Sequence, residues 1–328
     1  MTREAQGDFR RNRLFLDADS AFGFDHPNVK QIKHNVFFVS TNRKHYVIKG
    51  YTNQAAARRQ WHLAKALKSE GFHRGLEYRR FPSGSYVVKT EGMYWLSMKR
   101  LPQKRPVHFQ NGKDREKAGD LLHAFHGVIQ TQNNVQLPDY SLLKHWEKRF
   151  DQFCKEDSLY TLAEVIGKKR AKEALRWGDI ALSKLRRYRL YELEEKAKSR
   201  GQAIHRDTAA HNFILTPDDS LHMIDFDLAA SAPEAYDWLQ LSLRYMPWMQ
   251  WSLNALGKER YIRSFLQKKW FLTGLLYPAD LYRDWNAAMK ENNSRSFDWF
   301  ASIHSIEHRV SYFDEISRQL ESPSLKST

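Results

Sequence analysis

The sequence predicts an α+β fold in two lobes: a small antiparallel β-sheet carrying one helix, then a larger and mainly helical region. Three observations predict it. The 328 residues suffice for two lobes at roughly 150 residues each. The first hundred residues alternate apolar and polar side chains around turn-rich tetrapeptides, the period-two mark of strands. Beyond residue 103 the apolar positions recur at intervals of three and four, the period of helices. The expected lobes are 1–98 and 103–328, joined by a short hinge at 99–102. An aromatic content of 13% excludes a chain disordered throughout.

Each element has its own warrant. From Val29 to Tyr51, VKQIKHNVFFVSTNRKHYVIKGY alternates on both sides of TNRK, which predicts a β-hairpin. From Asn53 to Ser69 the stretch is rich in Ala, Leu, Lys and Arg, with Trp61, Leu63, Ala64 and Leu67 on one face, an amphipathic helix capped by Asn53. Strands follow around the turns FPSGS and TEG. After Pro102 and Pro106, Lys117–Ile129 places Leu121, Leu122, Phe125, Val128 and Ile129 on one helical face, and about three more helices fill 140–200. The segments AIH, NFILT and HMID read as short strands of one small ribbon. From Ala235 the pattern is helical to about Leu320, and the tail ESPSLKST is expected to fray.

One cysteine, Cys154, leaves no internal disulfide and no multi-cysteine zinc site, which fits a reducing compartment. No run of about 18 apolar residues occurs, and MTREAQGDFRRNR lacks the apolar core of a signal peptide, so neither a membrane span nor secretion is expected. The net charge of +15 is unevenly spread. Residues 1–100 carry +11 and 165–200 carry +7, whereas 201–250 carry −5. An acidic island in a basic chain suggests carboxylate or cation chemistry rather than a groove for a phosphate backbone. Arg186, Arg187 and Arg189 with Tyr188 and Tyr191 read as a solvated basic helix face with its tyrosines packed inward, so no nucleic-acid partner is expected. Trp238, Trp248, Trp251, Trp270, Trp285 and Trp299 are expected mostly in the core.

The island holds His205, Arg206, Asp207 and Asn212, then Asp225, Phe226 and Asp227. Such spacing arises by chance in this composition with a probability of about 0.002. Moving a terminal phosphoryl group requires a carboxylate beside the attacking hydroxyl and Mg²⁺ held by oxygen donors. Asp207 suits the first task, and Asn212 with Asp225 the second. Lys49, ending the strand HYVIK, is placed to grip the α and β phosphates.

With Asn35-Val36-Phe37, YVIK at 46–49, GMYWLSM at 92–98, LLHAFH at 121–126 and the run from HRDTAAHNFIL to IDFDLA, the chain resembles the protein-kinase-like fold in its aminoglycoside/choline kinase branch. Within that branch it is most similar to the CotS-type spore-coat-associated kinase-like proteins. The resemblance implies a kinase-like fold, ATP and Mg²⁺ as cofactors, and transfer of the γ-phosphoryl group to an alcohol of an unknown small molecule. It implies Asp207 as catalytic aspartate, Asn212 and Asp225 as metal ligands, Lys49 and Asn35 on the nucleotide, and Ser97, Met98 and Lys99 as the adenine-binding hinge. Asp237 and His205 take structural roles in it. It also implies synthesis in the cytoplasm, assembly into the spore coat, and other coat proteins as partners.

Two departures bear on activity. Residues 50–69 contain no acid to pair with Lys49, and Gln60 is the nearest polar substitute. A lysine so unpaired is consistent with a weak enzyme or an inactive scaffolding protein of the coat, the alternative to a phosphotransferase. Asp227 stands where kinases carry the glycine of their Asp-Phe-Gly segment, which disfavours an in/out switch there. Only six residues lie between Asp227 and Glu234, too few for a peptide-binding activation loop, so a small-molecule acceptor is expected.

Overall fold

The computed structural model describes residues 21–42, 44–129, 135–290 and 299–321. The segment MTREAQGDFRRNR and the tail after Glu321 lie outside the described residues. Contacts divide the chain into two compact units. One comprises 1–107, 127–137 and 211–228; the other comprises 108–126, 138–210 and 229–328. The segment 211–228 thus clusters with the N-terminal sheet although it follows most of the helices in the chain.

In the first unit, strands β1 (Asn28–Lys33), β2 (Val36–Ser40) and β3 (His45–Tyr51) precede helix α1 (Gln54–Ser69). Strands β4 (Tyr78–Arg79), β5 (Val87–Thr90) and β6 (Met93–Lys99) follow. They form one antiparallel sheet in the order β1-β2-β3-β6-β4, with β5 also on β6. Alternation sorts the side chains onto two faces. Phe37, Val39, Tyr46, Ile48 and Trp95 pack with Phe22, Phe24, Phe81 and Val88 on one face, and Tyr51 and Leu96 meet Ala57 of α1 on the other. Lys49, one residue past Ile48, therefore lies on the α1 side. Asn53 caps α1 as expected, its side chain accepting from the amide of Ala56 at 2.7 Å.

Helix α2 (Gly112–Ile129) begins five residues earlier than its apolar pattern indicated, because Asp114 in its first turn accepts the amide of His108 at 2.9 Å. Helices α3 (Leu142–Phe153), α4 (Glu156–Ile166), α5 (Lys168–Leu185) and α6 (Leu190–Ser199) then lead to β7 (Ala203–Ile204), β8 (Phe213–Leu215), β9 (Leu221–Met223) and β10 (Ala230–Ser231). The expected single ribbon is in fact two. β8 pairs with β9 in the first unit, and β7 pairs with β10 in the second. The partner β10 is two small residues long, too short for an alternating pattern to reveal it.

Helices α7 (Ala235–Tyr245), α8 (Leu253–Leu256), α9 (Lys269–Leu276), α10 (Ala279–Lys290) and α11 (Trp299–Glu321) complete the second unit. Its core is aromatic: Trp177, Trp270, Trp285, Tyr245, Tyr277 and Tyr282 are fully buried, and Trp146 stacks on Tyr277 at 4.2 Å between centroids. Of the tryptophans expected in the core, Trp238, Trp251, Trp270 and Trp285 are buried, Trp248 is 53% exposed, and the Trp299 side chain lies outside the described residues. Tyr191 does not pack inward as expected; it is exposed, because Arg189 holds its hydroxyl at 2.9 Å on the surface. Among the described residues no helix is long and apolar enough to cross a membrane.

Gly178 lets α5 approach its neighbours. A β-carbon there would strike the Tyr282 hydroxyl and lie 2.6 Å from the Phe150 ring. Tyr282 cannot easily withdraw, because its hydroxyl donates to the carbonyl of Ala174 at 2.5 Å. Gly178→Ala gains about 1 kcal/mol of helix propensity and loses roughly 1–3 kcal/mol to overpacking. The expected result in urea unfolding is a net loss of stability.

Candidate active site

In the second unit the site is built on one face of α7. Asp237, Gln240 and Arg244 recur at intervals of three and four and so project from the same side of the helix. All three hold the segment that follows β7. The carboxylate of Asp237 is fully buried. Its Oδ2 accepts the His205 amide at 2.7 Å and the ring Nε2 of His126 at 3.0 Å, and its Oδ1 accepts the Arg206 amide at 2.8 Å. Gln240 donates from Nε2 to the Arg206 carbonyl at 2.8 Å and accepts both the amide and the hydroxyl of Thr208 through Oε1.

Both backbone groups of Arg206 are therefore held by α7. That matters because Arg206 has φ of +66°, a left-handed conformation costing a non-glycine residue about 1 kcal/mol or more. The strain sets the direction of the next residue, Asp207. Its amide meets Nδ1 of the buried His205 at 3.2 Å, and its carboxylate lies 3.7 Å from the Arg244 guanidinium, with the side chain 28% exposed. Asp207 is thus a carboxylate on a backbone that is fixed at every neighbouring residue, and it remains accessible. Asp237 and His205 have the structural roles expected of them.

In the first unit, the ribbon of β8 and β9 carries the remaining acidic residues. The ladder runs to Phe213 opposite Met223, and the Ile224 amide extends it to the carbonyl of Asn212 at 2.9 Å. Asn212, buried at the end of a single turn, and Asp225 are thereby brought to the same end of the ribbon. Asp225 too is left-handed, with φ of +65°. The ammonium group of Lys49 lies 2.7 Å from Asp225 and 2.5 Å from Asp227, both carboxylates about one-third exposed. An amide oxygen and a carboxylate, with no thiol or imidazole, are a donor set suited to Mg²⁺, which is commonly held by one or two carboxylates together with phosphate oxygens.

Asp227 is the residue that sequence reasoning missed. It supplies Lys49 with the second carboxylate that α1 lacks. It is held in turn by the Tyr51 hydroxyl, which donates to Oδ1 at 3.1 Å. Burial pushes the ionisation of Tyr51 and Tyr78 well up, which keeps both hydroxyls protonated. The signal lies in the Asp-Phe-Asp triplet, which sets a second carboxylate two residues after Asp225. Gln60 does not substitute for the missing acid. It is buried and donates to the Phe226 carbonyl at 3.0 Å, anchoring the same triplet to α1.

Asn35 binds Gly50 reciprocally: its amide donates to the Gly50 carbonyl at 2.7 Å, and the Gly50 amide donates to its carbonyl at 2.9 Å. It therefore fixes the strand next to Lys49. Ser97, Met98 and Lys99 lie within β6, a strand paired with both β3 and β4, and the Lys99 amide already donates to Glu77 at 2.9 Å. These three residues, expected on the adenine, thus stand at the end of the ladder that runs through β6. Met98 shares the α1 face of β6 with Leu96, so its side chain is the part of this trio on the side of Lys49.

The pattern of a phosphotransferase enzyme family matches residues 28–266. The chain belongs to this family. Among curated proteins none matches it. Solved structures with the same fold include an aminoglycoside phosphotransferase from Alicyclobacillus acidocaldarius subsp. acidocaldarius DSM 446, at 15% identity and a TM-score of 0.66, over 91% of this chain and 94% of that one. Spectinomycin phosphotransferase in complex with ADP and spectinomycin matches at 15% identity and a TM-score of 0.53, over 90% and 93%. A mutant aminoglycoside 2'-phosphotransferase-IIIa in its GDP complex matches at 11% identity and a TM-score of 0.55, over 96% and 100%. The fold is thus the α+β kinase-like fold of this phosphotransferase family, as the sequence predicts.

Because Asp237 is buried and fully engaged, Asp237→Asn turns an acceptor oxygen into an NH₂ group facing a donor. The expected loss is about 3 kcal/mol in urea unfolding. Full stability in the variant would show that the three hydrogen bonds do not hold the loop.

Proposed function

We propose that the protein is an ATP- and Mg²⁺-dependent phosphotransferase acting on a hydroxyl group of a small molecule. The observation that carries this reading is the fixed and accessible Asp207 carboxylate in a member of a phosphotransferase family. In the reaction the acceptor oxygen bonds to the γ-phosphorus while the bond from that phosphorus to the β,γ-bridging oxygen breaks. ADP leaves with the electron pair, and the hydroxyl proton passes to Asp207. Lys49 binds the α and β phosphates. Asn212 and Asp225 hold Mg²⁺, which neutralises charge on the phosphates when bound. Bound nucleotides in relatives of the same fold support this choice of cofactor.

The inactive alternative rested on a lysine without a partner. Lys49 has two carboxylates, at 2.7 and 2.5 Å, so the missing acid in α1 does not leave it loose. Assembly into the spore coat is part of this proposal on the strength of the sequence resemblance alone. Release of the protein from coat fragments by raised salt would support attachment through its +15 net charge.

Asp207→Asn keeps the shape of the side chain and removes the proton acceptor. Hydrolysis of ATP with Mg²⁺, measured as released phosphate, is expected to fall roughly 10²–10⁴-fold in kcat while affinity for ADP is retained. Equal turnover in variant and wild type would overturn the assignment.

A further inference from the structure

Helix α1 ends in a motif that turns the chain back on it. Gly71 takes the left-handed position after the cap, with φ of +91°. The Gly71 amide donates to the Lys68 carbonyl at 3.2 Å, and the Phe72 amide to the Leu67 carbonyl at 2.8 Å. Phe72 is thereby folded back towards Leu67, and the segment 72–77 faces the last turns of α1 across a cavity of about 180 Å³. Ala64 and Leu67 of the helix and Phe72 and Leu76 of the segment give it apolar walls, while Lys68 and His73 are exposed at its rim. Gly75 adds no side chain to that space. A β-carbon there would lie 3.4 Å from the Phe72 ring and 3.9 Å from the Phe226 ring.

Both walls of the cavity are tied to the strip of chain that carries Asp225. Gln60 precedes Ala64 by one turn and so shares its side of α1. It donates to the Phe226 carbonyl at 3.0 Å. From the opposite wall, the Arg74 carbonyl accepts the Met223 amide at 2.8 Å. The two bonds flank Ile224 and Asp225, one from each wall. Any change in the separation of the walls is therefore taken up at these bonds or in the four residues between them.

We infer that the cavity binds a small aromatic molecule of one ring with one polar substituent, and that its occupancy is coupled to residues 223–226. Size selects the ring, because an apolar cavity of about 150 Å³ takes up a single benzene. Leu67 and Phe72 enclose the ring, and the substituent meets the polar rim. A ligand shifts a protein towards the arrangement that it binds. The arrangement that forms this cavity is the one in which Lys49 holds Asp225 at 2.7 Å. Ligand and Mg²⁺-nucleotide, which draws on the same carboxylate, are therefore expected to oppose each other. That last step rests on the proposed function in taking Asp225 as a metal ligand.

The test uses the full chain with phenol as the probe and glucose as a polar ring compound for comparison. Backbone amide resonances are followed during titration. The expected result is a saturable shift at Phe72, Gly75 and Leu76 with phenol and none with glucose, together with slower hydrogen exchange of the Met223 amide when phenol is bound. Ala64→Phe fills the cavity and, with a Tm near that of the wild type, is expected to abolish the shift. Gly75→Ala, whose methyl group would meet Phe72 at an ordinary contact distance, is a second variant expected to weaken phenol binding at least threefold. In calorimetric titration with a non-hydrolysable ATP analogue and Mg²⁺, saturating phenol is expected to weaken nucleotide binding at least threefold, and the nucleotide to weaken phenol binding by the same factor. No saturable shift with phenol, an equal shift with glucose, full binding in both variants, unchanged exchange at Met223, or nucleotide affinity indifferent to phenol would each overturn the inference. If the analogue does not bind the wild type at all, the proposed function fails, and exchange at Met223 still decides whether the cavity is coupled to residues 223–226.

Discussion

The buried carboxylate of Asp237 is the constraint on which the segment after β7 depends. A carboxylate with no exposure to water is tolerated only when hydrogen bonds replace its hydration, and three do so here. Two of the donors are consecutive backbone amides, those of His205 and Arg206. A carboxylate that must be satisfied by those amides fixes the backbone that bears them. Gln240 then closes the opposite side of Arg206, and the left-handed turn that results delivers Asp207. Strain at Arg206 is offset by hydrogen bonds from one rigid helix, which fixes the backbone that bears Asp207.

A different solution holds Lys49 in the first unit. Kinase-like sheets commonly fix this lysine from a helix, but α1 here has no acid to offer. The second carboxylate comes from the other side, from Asp227, which shares its triplet with the metal-binding candidate Asp225. Gln60 retains a mechanical role by tethering the triplet to α1 through Phe226. Helix and triplet therefore remain coupled although the ion pair has moved.

Much of this was legible in the sequence because it is periodic or local. Alternation around TNRK gave the sheet, the Ala- and Leu-rich run after Asn53 gave α1, and the His-Arg-Asp spacing gave the loop. What was not legible depends on partners far apart in the chain. The pairing of β7 with β10 involves two-residue strands separated by 25 residues, for which no alternating pattern exists. The occupation of Lys99 by Glu77 follows from β4, which is also two residues long.

The proposed nucleotide site depends on the ribbon end that carries Asn212 and Asp225. Calorimetric titration of the wild type and Asp225→Asn with a non-hydrolysable ATP analogue, with Mg²⁺ and with a chelator, tests it most directly. Binding that requires Mg²⁺ and weakens at least tenfold in Asp225→Asn is the expected result. Binding of equal strength with the chelator, or none in the wild type, would contradict it.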